Sequence, residues 1–323
     1  MFAAFAVRQA PDDPLSGLEL GERPEPQVPD GWARAHLRAA SLNHHDLWSL
    51  RGVGLPAERL PMILGGDGAG VDDAGNEVVV HAVISRPDWT GDETEDPKRS
   101  LLSEVHQGTF ADQVVVPRRN LVPKPGSLSF EEAACLPTAW LTAYRMLFGK
   151  SGVQPGGTVL VQGAGGGVAT ALIVLGAAAG YRVWATSRDA GKRKRATELG
   201  AEQVFESGAR LPERVDAVME TVGEATWSHS LKSLLPGGTL VVSGATSGPD
   251  PSAELNRVFF LQLRVVGSAM GTRNELERLL RFCEVTGVRP VIDSVMPLEE
   301  ARRGFERMAS GDLFGKVVFT RPA

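Results

Sequence analysis

The densest chemical signal in the chain is a run of glycines. Residues 158–169 read TVLVQGAGGGVA, a Val-rich strand that turns directly into an apolar helix. Glycines at such a junction let the backbone turn tightly against a pyrophosphate, whose charge then rests on amide hydrogens at the helix N-terminus. The best register is Ala164-x-Gly166-x-x-Ala169, with Gly163, Gly165 and Gly167 adding freedom and Val168 opening the helix. The final alanine, where glycine is usual, still permits close helix packing. These spacings describe a dinucleotide site. The next strand, RVWATS, should end beside the adenosine ribose, where an NAD site carries an acid roughly 20 residues beyond the glycines. Ser187 and Arg188 stand there instead, with Lys192 one turn later. A carboxylate would repel a 2′-phosphate, whereas Ser, Arg and Lys donate hydrogen bonds and charge to it. The sequence therefore favours NADPH over NADH.

A sheet must hold these turns. From residue 128 onward, short Val-rich runs (TVLVQ, RVWATS, VDAVME, TLVVSG, LRVVG) alternate with helical stretches such as ALIVLGAAAG, GKRKRATELG and TWSHSLKSLL. Such alternation implies a doubly wound parallel sheet buried on both faces. Ligands bind at the carboxyl ends of its strands. Thr221 and Val222 after VDAVME, and Gly244, Ala245 and Thr246 after TLVVSG, are thus further cofactor-contact candidates, the second group beside the nicotinamide. Upstream of residue 120 the chain is β-rich and irregular, and its last segment returns to a mixed texture.

At 323 residues the chain is too long for one ordinary core, so two domains are expected. Its 42% apolar and 23% charged residues are those of a soluble globular protein, and a net charge of −5 gives no pull toward nucleic acid or anionic membrane. No apolar stretch reaches the roughly 18–20 residues of a membrane span. The N-terminal MFAAFAVRQA reads as a first strand, not a signal peptide. Cys135 and Cys283 lie too far apart in sequence for a redox or metal pair, and a cytoplasmic location is the default expectation. Residues 85–107, acidic at their centre, read as a solvated surface loop.

Taken in order, AASLNHHDLW, LPMILGGDGAG, GTFADQVVVP, LSFEEAACLPTAWLTAY, VLVQGAGGGVA, LLPGGTLVVSGAT, VVGSAMG and FGKVVF span nearly the whole chain. The sequence resembles the medium-chain dehydrogenase/reductase superfamily, close to its zinc-free, quinone oxidoreductase-like branch. The resemblance implies an α/β protein with a GroES-like β-rich catalytic domain over residues 1–124 and 271–323. A Rossmann domain at residues 125–270 would be inserted into it, with the active site in the cleft between the two. It also implies homodimers that join edge strands of the Rossmann sheets, here the RVVGS strand.

The same resemblance bears on metal. Where zinc enzymes of the superfamily carry a ligand cysteine, this chain has Asn43; their Gly-His-Glu appears as Gly65-Gly66-Asp67, and the third ligand position aligns with Thr138. Cys135, one turn earlier, reads as a buried small hydrophobe. The four-cysteine lobe would fall in residues 85–107, which contain no cysteine. The expectation is that no zinc is held. Without a Lewis acid a simple alcohol is hard to oxidise, whereas a quinone or an α,β-unsaturated carbonyl takes hydride into a conjugated system.

Some zinc-free relatives supply a tyrosine acid where this chain has Trp48. The alternative implied by alignment is His45, at the hydroxyl position of the zinc enzymes' proton relay. It either donates a proton or merely packs near the cleft. By the same alignment Asn43 hydrogen-bonds near the nicotinamide ribose, Thr142 packs against the nicotinamide ring, and His44 lies near the pyrophosphate or in solvent. Asp46 is an orienting acceptor. Trp48, Leu55, His81 and Thr138 are candidates for the substrate pocket, with structural roles as the plainer reading for His81. Met270 enters the cleft beside the cofactor, and Lys316 reaches the cofactor phosphates or the domain interface. The combined expectation is a zinc-independent, NADPH-dependent reductase of a quinone or activated alkene. Two alternatives stay open: an enoyl-thioester or pathway-specific ketone reductase, and an NADPH-binding protein without useful turnover.

Overall fold

The computed structural model describes residues 1–322 and divides into two compact units. The first comprises Met1–Leu141 together with the segment from Met270 onward; the second is Thr142–Ala269.

In the first unit the strand Trp32–Ser41 is the organiser. It pairs antiparallel with Asp67–Asp72 along one edge, and with Gln113–Pro117 and then Lys316–Thr320 along the other. A register shift between Leu37 and Ala39 swings the His36 carbonyl toward Gly70, where a Cβ would stand 2.0 Å from its oxygen. Only glycine fits at that bulge. The C-terminal strand Lys316–Thr320 carries the parallel strand Ile292–Pro297 on its far side, so the last strands of the chain complete the sheet that Trp32–Ser41 begins. Phe110, Phe305 and Phe319 centre the core of this unit. Phe110 meets Phe319 edge to face at 5.1 Å, worth about 0.5–1.5 kcal/mol beyond area burial. Leu55, expected at the substrate wall, is fully buried in this same cluster. It is a core residue, because burial there returns more than exposure in a pocket rim.

The second unit is a six-stranded, all-parallel sheet ordered Gln203–Phe205, Arg182–Thr186, Thr158–Val161, Val215–Glu220, Leu234–Val242, Arg264–Gly267. Numbered by chain order from Thr158 this is 3-2-1-4-5-6, the Rossmann arrangement. Val159, Val161, Val183 and Val218 are fully buried, as strands covered on both faces require.

Two expectations need correction. The second unit begins at Thr142, not near residue 125. The helix Phe130–Ala134 and the wide turns after it pack on Trp32–Ser41 and Asp67–Asp72, which ties them to the first unit. Residues 85–107 are also not simply solvated. Asp96 is buried and accepts from the Arg86 backbone and guanidinium, Leu102 is fully buried, and Glu93 and Glu104 bond histidines elsewhere in the unit. Among the described residues no helix is long and apolar enough to cross a membrane.

Candidate active site

The candidate dinucleotide site lies in the second unit. The strand Thr158–Val161 ends in a turn whose left-handed residues are Gly163 (φ +75°) and Gly165 (φ +133°), and the helix Gly167–Ala178 starts behind it. Conformational freedom is therefore needed at Gly163 and Gly165, whereas Gly166 caps the helix in an extended conformation any residue adopts. A Cβ at Gly163 would press on Val222 at 2.8 Å, and one at Gly165 would stand 2.8 Å from Lys192 Cδ. Lys192 thus lies across the glycine turn, a position the linear spacing could only suggest. The Ser187 hydroxyl is buried and accepts from the Asp189 amide; Arg188 is exposed. Asp189, the one acid nearby, is turned to cap the helix Ala190–Glu198 through the Lys192 amide. Arg193 donates to the Ser187 and Arg188 carbonyls and so fixes the loop. The turns after the next two strands are tied together: the Ser247 amide donates to the Val222 carbonyl, and Gly244 lies close against Thr221.

Beneath the glycine turn runs a buried polar chain that sequence reasoning missed. Thr186 Oγ1 donates to Gln162 Oε1, and Gln162 Nε2 reaches His229 Nδ1 and Ser230 Oγ, each at 2.9 Å. Ser230 and Thr226 then donate to Glu220, which also accepts the Val222 and Gly223 amides. Full satisfaction makes such a network rigidifying, so the strand ends beside the glycine turn are held from below.

The first unit holds a small, partly open cavity with about 20 Å³ of room, enough for one water-sized group such as a carbonyl oxygen. Its polar wall is Asn43, His45, Asp46 and Thr138; Ala82, Leu101, Leu102 and Met270 close it, the last with φ +53°. The helix His44–Leu50 aims the polar group. Asp46 accepts from the Asn43 amide at its start and from the Gly65 amide, both at 2.9 Å. Burial pushes the Asp46 carboxyl up to about 6; nearby Asp67 adds to this, while His45 and the two amides pull down. His45 donates from Nε2 to Glu104 Oε1 at 2.9 Å. Burial works against its charged form, but the Glu104 bond and the charges of Asp46, Glu104 and Asp67 outweigh it and raise the His45 pKa.

Several expected site residues sit elsewhere. Lys316 is buried and donates to the Leu42 carbonyl, Asn43 Oδ1 and Asp67 Oδ2, so its charge is spent inside the first unit and not on cofactor phosphates. Asn43 in turn donates to Asp67 and the Ser41 carbonyl, which commits the amide expected at the nicotinamide ribose. His81 is buried and bonded to Glu93, which also accepts the Arg273 amide; it is structural. Trp48 lies under the Arg51 guanidinium at 5.0 Å and is not part of the cavity wall. Met270, assigned to the cofactor, instead closes the cavity of the first unit. Thr142 is buried as the first residue of the second unit, and Cys135 is buried with its thiol pushed up to about 12 by desolvation.

Comparison with known proteins agrees with this anatomy. Residues 29–126 match the alcohol dehydrogenase GroES-like domain, and residues 167–285 the zinc-binding dehydrogenase family. A zinc-type alcohol dehydrogenase-like protein of Schizosaccharomyces pombe is 30% identical over 97% of this chain and 99% of its own length. The chain belongs to the medium-chain dehydrogenase/reductase superfamily. Within that superfamily it is also 29% identical to an acryloyl-coenzyme A reductase of Metallosphaera sedula, over 94% of this chain and 96% of the relative. The crystal structure of an NAD-dependent alcohol dehydrogenase, 35% identical, covers 100% of both chains at a TM-score of 0.92. The glycine turn fits a dinucleotide pyrophosphate at Gly166, which caps the helix Gly167–Ala178 and has open space where a Cβ would stand. The zinc positions do not fit zinc: Asn43 is bonded at both ends of its amide, Gly66 has no side chain, and Thr138 offers only a hydroxyl.

Proposed function

We propose that this oxidoreductase is a zinc-independent, NADPH-dependent reductase of a small activated alkene, an α,β-unsaturated ketone, aldehyde or thioester. The observation that carries this reading is His45, held at one ring nitrogen by Glu104 and lining a cavity with room for one oxygen atom. Bound NADPH supplies the hydride. The helix amides behind Gly166 would hold its pyrophosphate, Lys192 would lie along that pyrophosphate, and Arg188 would meet the 2′-phosphate. His45 receives the carbonyl oxygen and gives it a proton as charge develops there. The 29% identical acryloyl-coenzyme A reductase supports the activated-alkene class over quinones. NADPH oxidation measured against acryloyl-CoA, crotonyl-CoA, methyl vinyl ketone and a benzoquinone tests the reading. Turnover of the conjugated carbonyls without added zinc is expected. Tight NADPH binding with no turnover of any of them would overturn it in favour of a cofactor-binding protein.

Cofactor choice has its own test. Arg188→Ala is expected to weaken NADPH roughly 10- to 100-fold, the worth of one charged hydrogen bond, and to leave NADH affinity unchanged. Fluorescence titration of both cofactors checks this, and parallel losses for the two would refute the 2′-phosphate role.

We also propose that two copies pair through the strand Arg264–Gly267, one of the two edges of the parallel sheet. Val265 is 47% exposed there, and Phe260 on the preceding helix is 79% exposed. Light scattering is expected to show a dimer that Val265→Lys converts to monomer. A dimer unaffected by that change would move the interface elsewhere.

A further inference from the structure

We infer that Glu104 is the positioning residue of a carboxylate–imidazole dyad: it fixes His45 through Nε2 so that Nδ1 presents a proton to the oxygen of a substrate in the cavity. The inference rests on the reductase reading above. Its geometry comes from the acidic segment that the sequence marks as a solvated excursion. Glu104 follows Ser103, which is buried in a left-handed turn at φ +67°, and the turn is closed by Ser103 N to His106 O and Glu104 N to Leu101 O. Leu101 and Leu102 from the same turn wall the cavity, so one loop both shapes the cavity and carries the carboxylate. On the other side Gly54 makes room. A Cβ there would stand 2.7 Å from Glu104 Oε1, and Gly54 is itself left-handed at φ +76°. The carboxylate is therefore wedged between a glycine and the imidazole, at 2.9 Å from Nε2, with both side chains about a quarter exposed.

The charged groups that face His45 are few. Glu104 reaches it from the loop, Asp46 from its own helix, and Asp67 from the strand Asp67–Asp72, where Lys316 pairs with it. Among the described residues no protein group bonds Nδ1 of His45. An imidazolium so held has one nitrogen tied to a carboxylate and one N–H left for substrate, the logic of an acid oriented by a third group. Hydride supplied by a bound NADPH would add to the β-carbon of the substrate, and the alkene electron pair would shift to the carbonyl oxygen. The Nδ1–H bond then breaks and an O–H bond forms. His45 is left neutral and regains its proton from solvent, while the enol tautomerises to the saturated product.

Glu104→Gln keeps the shape and removes the charge. With methyl vinyl ketone and saturating NADPH, kcat/KM of the native protein should fall as pH rises through the elevated His45 pKa, because the acid form is then lost. In Glu104→Gln that alkaline limb should move down by roughly one pH unit. Activity should drop about tenfold above the limb and recover toward the native value in acid. A merely structural role would lower the whole profile evenly and leave the limb in place, which would overturn the inference. NMR titration of the His45 ring, without substrate, separates the two readings. A midpoint unchanged by Glu104→Gln sinks the dyad whatever the turnover. A shifted midpoint with no turnover in either protein sinks the reductase reading and with it the catalytic use of the pair. Should the variant not fold, the native titration decides: a His45 midpoint at or below 6.5 overturns the proposal.

Discussion

Replacing Lys316 with methionine is expected to lower the unfolding free energy of the first unit by about 3–5 kcal/mol. The aliphatic stem is retained, so the loss isolates the ammonium. That group sits 2.8 Å from the Leu42 carbonyl, 2.6 Å from Asn43 Oδ1 and 3.2 Å from Asp67 Oδ2, with neither charge exposed. Without it, Asp67 keeps the Ser41 hydroxyl and the Asn43 amide but no countercharge. A buried carboxylate in that condition is costly, because its desolvation is no longer offset. The double variant Lys316→Met with Asp67→Asn should recover much of the loss, since removing a whole buried pair is often near neutral. Urea unfolding of the four proteins in this cycle checks both claims. A single variant within about 1 kcal/mol of native would show that the pair behaves as an exposed one.

The same pair explains why parts of the site were illegible in the sequence. The glycine turn could be read because its requirement is local: strand, turn and helix follow one another, and backbone torsions at Gly163 and Gly165 need no distant partner. The doubly wound parallel sheet was implied by the same local alternation, but its strand order was not. Lys316 was different. A lysine near the start of a C-terminal strand reads equally as a phosphate ligand or an internal ion pair, and the choice depends on Asp67, 249 residues away. Leu55 and His81 failed for the same reason. Both lie near strand or helix ends where pocket residues gather, but the partners that bury them, the phenylalanine cluster and Glu93, are supplied by other segments. Glu104 was hidden in a stretch whose composition announced solvent, because acidity alone does not reveal which carboxylates are held. Its signal was the neighbouring pair Leu101–Leu102, apolar residues that had to be buried somewhere.

Replacing His45 with phenylalanine is expected to reduce kcat for enone reduction by roughly 10²- to 10⁴-fold, the usual worth of a positioned acid. NADPH affinity should be unchanged, since the glycine turn and Lys192 belong to the other unit. The size of the effect follows from what else lines the cavity. The Asn43 amide is committed to Asp67 and to the Lys316 ammonium, which itself lies outside the lining. Each Asp46 oxygen already accepts a backbone N–H, so even a protonated Asp46 would have to give up a bond that holds its helix. Thr138 can donate a hydrogen bond but not a proton at neutral pH. That leaves His45 as the group with a transferable proton among the described cavity residues, so its loss hands protonation to solvent. The alkaline limb of the pH profile should then vanish, leaving a low, flat rate. Stopped-flow measurement of NADPH oxidation at several pH values distinguishes the outcomes. A phenylalanine variant with native kcat and an unchanged limb would mean that water already delivers the proton, and the cavity would then serve only to seat the carbonyl.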